Sequence, residues 1–215
     1  MKFETVLFDF DGTLFDSGPG ITSCMRETLE KNGYHVDPGD TLSRFVGPPL
    51  PQALRDFYGI TGEDAVRFIE EYRVIYAEKG IHGLKTIEGA EHFVRRLRAL
   101  GVKTAIASSK PLRFVRIILG ESAISDCFDV IGAAGDDEKT EKSAIVAQAM
   151  RDLHADPAKT VMIGDRKFDV IGAHANGIPC IGLDSGFGEE GELQKAGALY
   201  VVRTYAELEK IFFDE

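Results

Sequence analysis

The stretch Phe3-Glu4-Thr5-Val6-Leu7-Phe8-Asp9-Phe10-Asp11-Gly12-Thr13 decides the fold. A compact apolar run stops abruptly at polar residues and a glycine. It reads as a buried strand feeding a loop. Two carboxylates two residues apart at a strand end can face one cavity. Asp and Gly also favour turns, so alone the pair reads equally well as a turn. A calcium loop does not fit, because Gly12 is at the wrong offset and no Glu occupies the twelfth position.

Four more apolar runs follow, at 103–107, 128–131, 160–163 and 179–183, with a weaker sixth at 199–202. Their near-continuous apolar character suits a parallel sheet covered on both faces. Helical patterns separate them. Phe93, Val94, Leu97 and Leu100 share a face before Gly101. Phe114, Val115 and Ile118 follow Pro111, which suits a first helical position. Ile145, Ala149 and Leu153 space as i, i+4, i+8, and 167–175 ends at Asn176-Gly177. Thr204 and Glu207 form a capping box. Strands alternating with helices predict a doubly wound α/β fold with right-handed crossovers.

One segment breaks the alternation. Residues 17–81 carry no strand signal. Ile21, Met25 and Leu29 make one helical face; Phe68, Ile69, Tyr72, Ile75 and Tyr76 make another. Shorter helices are expected at 38–45 and 50–58, around Gly47-Pro48-Pro49. The organisation expected is a core of 1–16 and 82–215, with a helical cap of 17–81 inserted after the first strand. Gly18 and the stretch 80–83 are the expected hinges. Ligands of open α/β sheets sit at the carboxyl ends of the strands, so this insertion would cover the site.

The chain has 215 residues, with 25 Lys and Arg against 35 Asp and Glu, a net charge of −10. Its overall field suits neither nucleic acid nor an anionic membrane, and neither is an expected partner. An anionic substrate would need local positive charge at the site. The three cysteines, Cys24, Cys127 and Cys180, form no CxxC pair, which points away from zinc or a disulfide framework and towards a reducing cytoplasm. No run of 18 apolar residues suggests a membrane span.

Further candidates fall at the ends of later strands. Ser108 and Ser109 follow the second, Lys142 the third, and Asp165 and Asp169 the fourth. Ser109 also reads as a cap for the helix at Pro111, and the two aspartates as an acidic helix start. The order Asp-x-Asp, Ser, Lys, paired Asp is what gives these groups meaning together.

Asp9-Phe-Asp-Gly-Thr-Leu-Phe-Asp-Ser17, Ser108-Ser-Lys-Pro111, Lys142 and Gly164-Asp-Arg-Lys-Phe-Asp169 resemble the four motifs of the haloacid dehalogenase superfamily. More closely, the chain resembles the phosphoglycolate phosphatase-like and 5′-nucleotidase-like branch with an inserted helical cap. The resemblance implies a Rossmann-like core and an enzyme hydrolysing a small phosphorylated metabolite. It implies Asp9 as nucleophile, forming an aspartyl-phosphate, and Asp11 as general acid and base. Mg²⁺ would be held by the Asp9 and Asp165 carboxylates and the Asp11 backbone carbonyl. Asp169 would orient a metal water or Lys142. Ser108, Ser109 and Lys142 would bind the substrate phosphate, with Lys139 a rival to Lys142.

Several neighbours receive blander readings. The run Asp136, Asp137, Glu138 reads as a solvated loop, and Lys110 and Arg166 as rim charges. Asp11 argues against a dehalogenase, and the absence of lysine in 45–51 against a phosphonate hydrolase. A sugar-phosphate mutase and a catalytically idle binding module remain alternatives. Phosphoglycolate, a nucleoside monophosphate or a similar ester would fit the core. Arg44, beside the Gly-Pro-Pro turn, is the candidate for meeting an anionic leaving group. Nothing in the sequence specifies an oligomeric state.

Overall fold

The computed structural model describes residues 3–135 and 141–213; Lys139 and the acidic run Asp136, Asp137 and Glu138 lie outside them. Six strands form one parallel sheet: β1 Thr5–Phe8, β2 Lys103–Pro111, β3 Val130–Ala134, β4 Thr160–Gly164, β5 Cys180–Leu183 and β6 Tyr200–Val202. Their order is β3-β2-β1-β4-β5-β6. β1 is central, with Phe8 in register with Ile106 on one side and Ile163 on the other. Successive connections run outward from β1 in opposite directions, which opens a crevice at the carboxyl ends beside it.

Strand alternation explains the continuous apolar runs. Val6 and Phe8 pack with α4 (Ala90–Ala99), α5 (Leu112–Gly120) and α9 (Tyr205–Phe213). Leu7 points the other way, into a cluster with α6 (Lys142–Asp152), α7 (Lys167–His174) and α8 (Glu192–Ala196). Val161 and Ile163 against Met162 repeat the pattern. Both faces of the central strands are therefore covered, which is why their runs are nearly continuously apolar. The Thr204–Glu207 capping box forms as expected, with bonds of 3.3 and 3.2 Å.

Residues 18–80 hold α1 (Gly18–Lys31), α2 (Leu50–Tyr58), α3 (Gly62–Ile75) and a π-turn, Tyr76–Gly80. Ile21, Met25, Phe68 and Tyr72 join the cluster that reaches β1. The chain leaves and returns side by side: Asp16 N–H donates to Lys85 O at 3.0 Å and Ile87 N–H to Leu14 O at 2.9 Å. The helix expected at 38–45 is only a 3₁₀ turn, Ser43–Phe45. The Asp40 carboxylate accepts the Leu42 N–H at 2.9 Å, and Leu42 adopts φ +55°. A side chain satisfying the backbone locally competes with helix formation. No helix among the described residues is long and apolar enough to cross a membrane.

Ser109 does not cap α5; Pro111 occupies that position. β2 instead continues to Pro111 with a register shift against β3 between Ser108 and Pro111. Such a bulge re-aims side chains at a sheet's end, and here it turns Ser108, Ser109 and Lys110 towards the crevice.

Candidate active site

Asp9 leaves β1 with its N–H bonded to Ile163 O at 2.9 Å, and its side chain is buried. The chain then turns sharply. Gly12 adopts φ +75°, and a Cβ there would collide with the Asp165 carboxylate. Only glycine meets both demands. Asp165 follows β4 and accepts hydrogen bonds from Ser185 Oγ at 2.9 Å and Thr13 Oγ1 at 3.4 Å. Asp169 stands in the first turn of α7, where its Oδ2 accepts the Arg166 N–H at 3.0 Å. A Cβ on Gly164 would strike it.

Lys142 is the first residue of α6. Its ammonium reaches Asp9 Oδ1 at 2.6 Å and Asp169 Oδ1 at 2.7 Å. Asp9, Asp165 and Asp169 offer oxygens within 4.8 Å of one another. Three buried carboxylates thus face one ammonium. Burial raises the Asp9 carboxyl to about 6, with Lys142 opposing and Asp169 adding to the rise. Burial, then Asp169 and Asp9, push Asp165 well above the usual carboxylate range. Burial alone would lower the Lys142 ammonium, but Asp169 and Asp9 outweigh it and raise it. A cluster of hard oxygen donors this short of positive charge suits a divalent cation such as Mg²⁺.

The Asp11 side chain lies outside that cluster. Lys110 Nζ donates to its two oxygens at 3.0 and 3.1 Å, and the Ser17 hydroxyl donates to Oδ1. Lys110 is therefore no rim charge: it is 8% exposed and also donates to the Tyr76 hydroxyl at 2.8 Å. Arg166 is likewise buried, at 6% exposure. It donates to Glu192 at 2.9 Å and to the Val46 carbonyl.

Asp9, Asp11, Ser108 and Ser109 line one cavity, closed from the helical side by Phe45, Pro48, Leu50 and Arg73. Ser108 is buried, and its Oγ accepts the Lys110 N–H at 3.3 Å. Arg44 is not among the residues lining the cavity. It pairs with Asp40 at 2.8 and 2.7 Å and lies over the Phe57 ring at 5.2 Å. An acidic partner one turn away holds it. Arg73 is the cation that the sequence reading missed. Its signal was a charge set within the apolar face of Ile69, Tyr72 and Tyr76. Ser185 was missed too, although it follows β5 as Ser108 follows the core of β2.

A family model described as haloacid dehalogenase-like hydrolase matches residues 6–183. The tyrosine-protein kinase PtkA of Mycobacterium tuberculosis is 37% identical over 92% of this chain and 68% of its own length. A 5′-nucleotidase of Pseudomonas aeruginosa is 32% identical over 90% of this chain and 88% of its own. The crystal structure of a predicted phosphatase from Clostridium acetobutylicum matches with a TM-score of 0.94 and 36% identity, covering 100% of both chains. With the buried aspartates at the carboxyl ends of β1 and β4, these likenesses lead to one assignment: the chain belongs to the haloacid dehalogenase-like hydrolases.

Proposed function

We propose that the chain is a Mg²⁺-dependent phosphatase of small phosphate monoesters, with residues 17–81 acting as the cap over its site. The observation that carries this reading is a buried Asp9, bonded to Lys142 at 2.6 Å, opening on the same cavity as Asp11. A nucleotidase and a phosphatase among the similar proteins support it.

An Asp9 carboxylate oxygen attacks phosphorus as the bond to the leaving oxygen breaks, giving an aspartyl-phosphate. Asp11 gives that oxygen a proton, then takes one from the water that attacks the phosphorylated Asp9. Inorganic phosphate leaves and both carboxyls return to their starting states. Ser108, Ser109 and Lys142 bind phosphoryl oxygens, and Asp169 keeps Lys142 in place. Mg²⁺ held by Asp9, Asp165 and the Asp11 carbonyl would neutralise charge on the transferring group.

Phosphate release from p-nitrophenyl phosphate, with Mg²⁺ and with EDTA, is the test. Activity should need the cation, and Asp9→Asn should fall to background. Retention of more than about a tenth of kcat would sink the covalent mechanism. The name of the mycobacterial relative favours a second reading, phosphoryl transfer to tyrosine. Incubation with labelled ATP and a tyrosine peptide separates the two: the phosphatase reading expects no labelled peptide.

A further inference from the structure

A general acid must be held to within a fraction of an ångström of its line of approach. Asp11 sits in a tight turn, where the Ser17 hydroxyl donates to one of its oxygens, Oδ1. Lys110 Nζ spans both of its oxygens, at 3.0 and 3.1 Å. A lysine is itself a flexible anchor, with side-chain entropy to lose on ordering. Here that freedom is removed. The Tyr76 hydroxyl accepts a bond from the ammonium at 2.8 Å, and the Tyr76 ring centroid lies 4.6 Å from it. Tyr76 is fixed in turn against Tyr72 at 5.6 Å and Phe114 at 5.4 Å. The bulge before Pro111 supplies the backbone placement. Three distant segments meet in one chain of contacts: the π-turn, the end of β2 and the loop after β1.

We infer that Lys110 is the positioning residue for Asp11, and that Tyr76 sets where Lys110 stands. Placement of the helical segment over the sheet is thereby felt at the acid–base carboxyl. This inference rests on the acid–base reading of Asp11 proposed above. It gives Lys110 a role distinct from that of a phosphate ligand. A phosphate ligand serves every ester alike, whereas an anchor for Asp11 matters most when the leaving oxygen is a poor one.

The test compares 4-nitrophenyl phosphate, an activated ester, with benzyl phosphate, of similar size but an alkoxide leaving group. The readout is the ratio of their kcat/KM values. Asp11→Ala should widen the ratio by about 100-fold, the usual scale of general acid catalysis. Lys110→Met should widen it by about tenfold, carried by kcat rather than KM. Lys110→Arg should return part of the loss, and Tyr76→Phe should widen the ratio by roughly threefold. Equal losses on both esters in Lys110→Met, beside a widened ratio in Asp11→Ala, would overturn the inference and leave the acid–base reading standing. An unchanged ratio in Asp11→Ala would overturn both. Should Lys110→Met not fold, Tyr76→Phe and Lys110→Arg carry the same comparison. Ratios matching wild type in both would again overturn it.

Discussion

Asp9→Asn should abolish turnover and yet make the metal-free protein more stable. The folded Asp9 carboxyl is raised from 3.8 to about 6, chiefly by burial. An acid whose folded value lies above its unfolded one destabilises the fold wherever it is ionised. The penalty is complete above about pH 6, shrinks as pH falls and is gone below about pH 4. A shift of about 2 units corresponds to about 3 kcal/mol. At about 2–4 °C per kcal/mol for a chain of this size, the variant should melt roughly 6–12 °C higher. The assay is differential scanning fluorimetry in EDTA at pH 7.5 and again at pH 4.5. The gap should be full in the first and shrink to about a third, about 1 kcal/mol, in the second. An Asp9→Asn protein that melts below wild type at pH 7.5, or a gap independent of pH, would refute the reasoning. Excess Mg²⁺ should narrow the gap at pH 7.5 by stabilising wild type through mass action.

Arg73→Ala should lower kcat/KM about tenfold for esters with an anionic leaving group, while Arg44→Ala leaves those kinetics unchanged; a ranked panel of phosphorylated metabolites reads both. Gly12→Ala should cost more than about 3 kcal/mol in urea titration, since it combines an unfavourable φ with a collision at Asp165. Ca²⁺ should replace Mg²⁺ poorly in phosphate release, because its longer, looser coordination misplaces the reacting groups.

β1, β4 and β5 were legible because they are buried throughout, which leaves short, nearly continuous apolar runs. Asp9, Asp165 and Asp169 were legible because each falls just beyond such a run or at the helix start after it. Lys110 and Arg166 were not. Whether a long cation beside a motif is exposed depends on what comes down over it from far along the chain. Lys110 finds Tyr76, and Arg166 finds Val46 and Glu192. Arg44 shows the complementary case. The Gly-Pro-Pro turn beside it reaches the cavity, but its own guanidinium is paired with Asp40. Residues 38–42 failed as a helix because the Asp40 side chain outcompetes the helical bond at Leu42.

Arg166 ties the helical segment to the sheet side of the fold with two different kinds of bond. Its guanidinium donates to the Val46 carbonyl, next to the cavity-lining Gly47, and to the Glu192 carboxylate of α8. On the proposed reading of residues 17–81 as a cap, lifting residues 43–50 would break the tie to Val46 and leave the ion pair with Glu192 on the side of the sheet. No charge is stranded in a dry interior, which would cost several kcal/mol. The polar part of opening is then one hydrogen bond, about 1–2 kcal/mol, much of it returned by water at the freed carbonyl. The apolar contacts of Phe45 and Leu50 set the rest. A tie built this way would favour the closed arrangement without locking it.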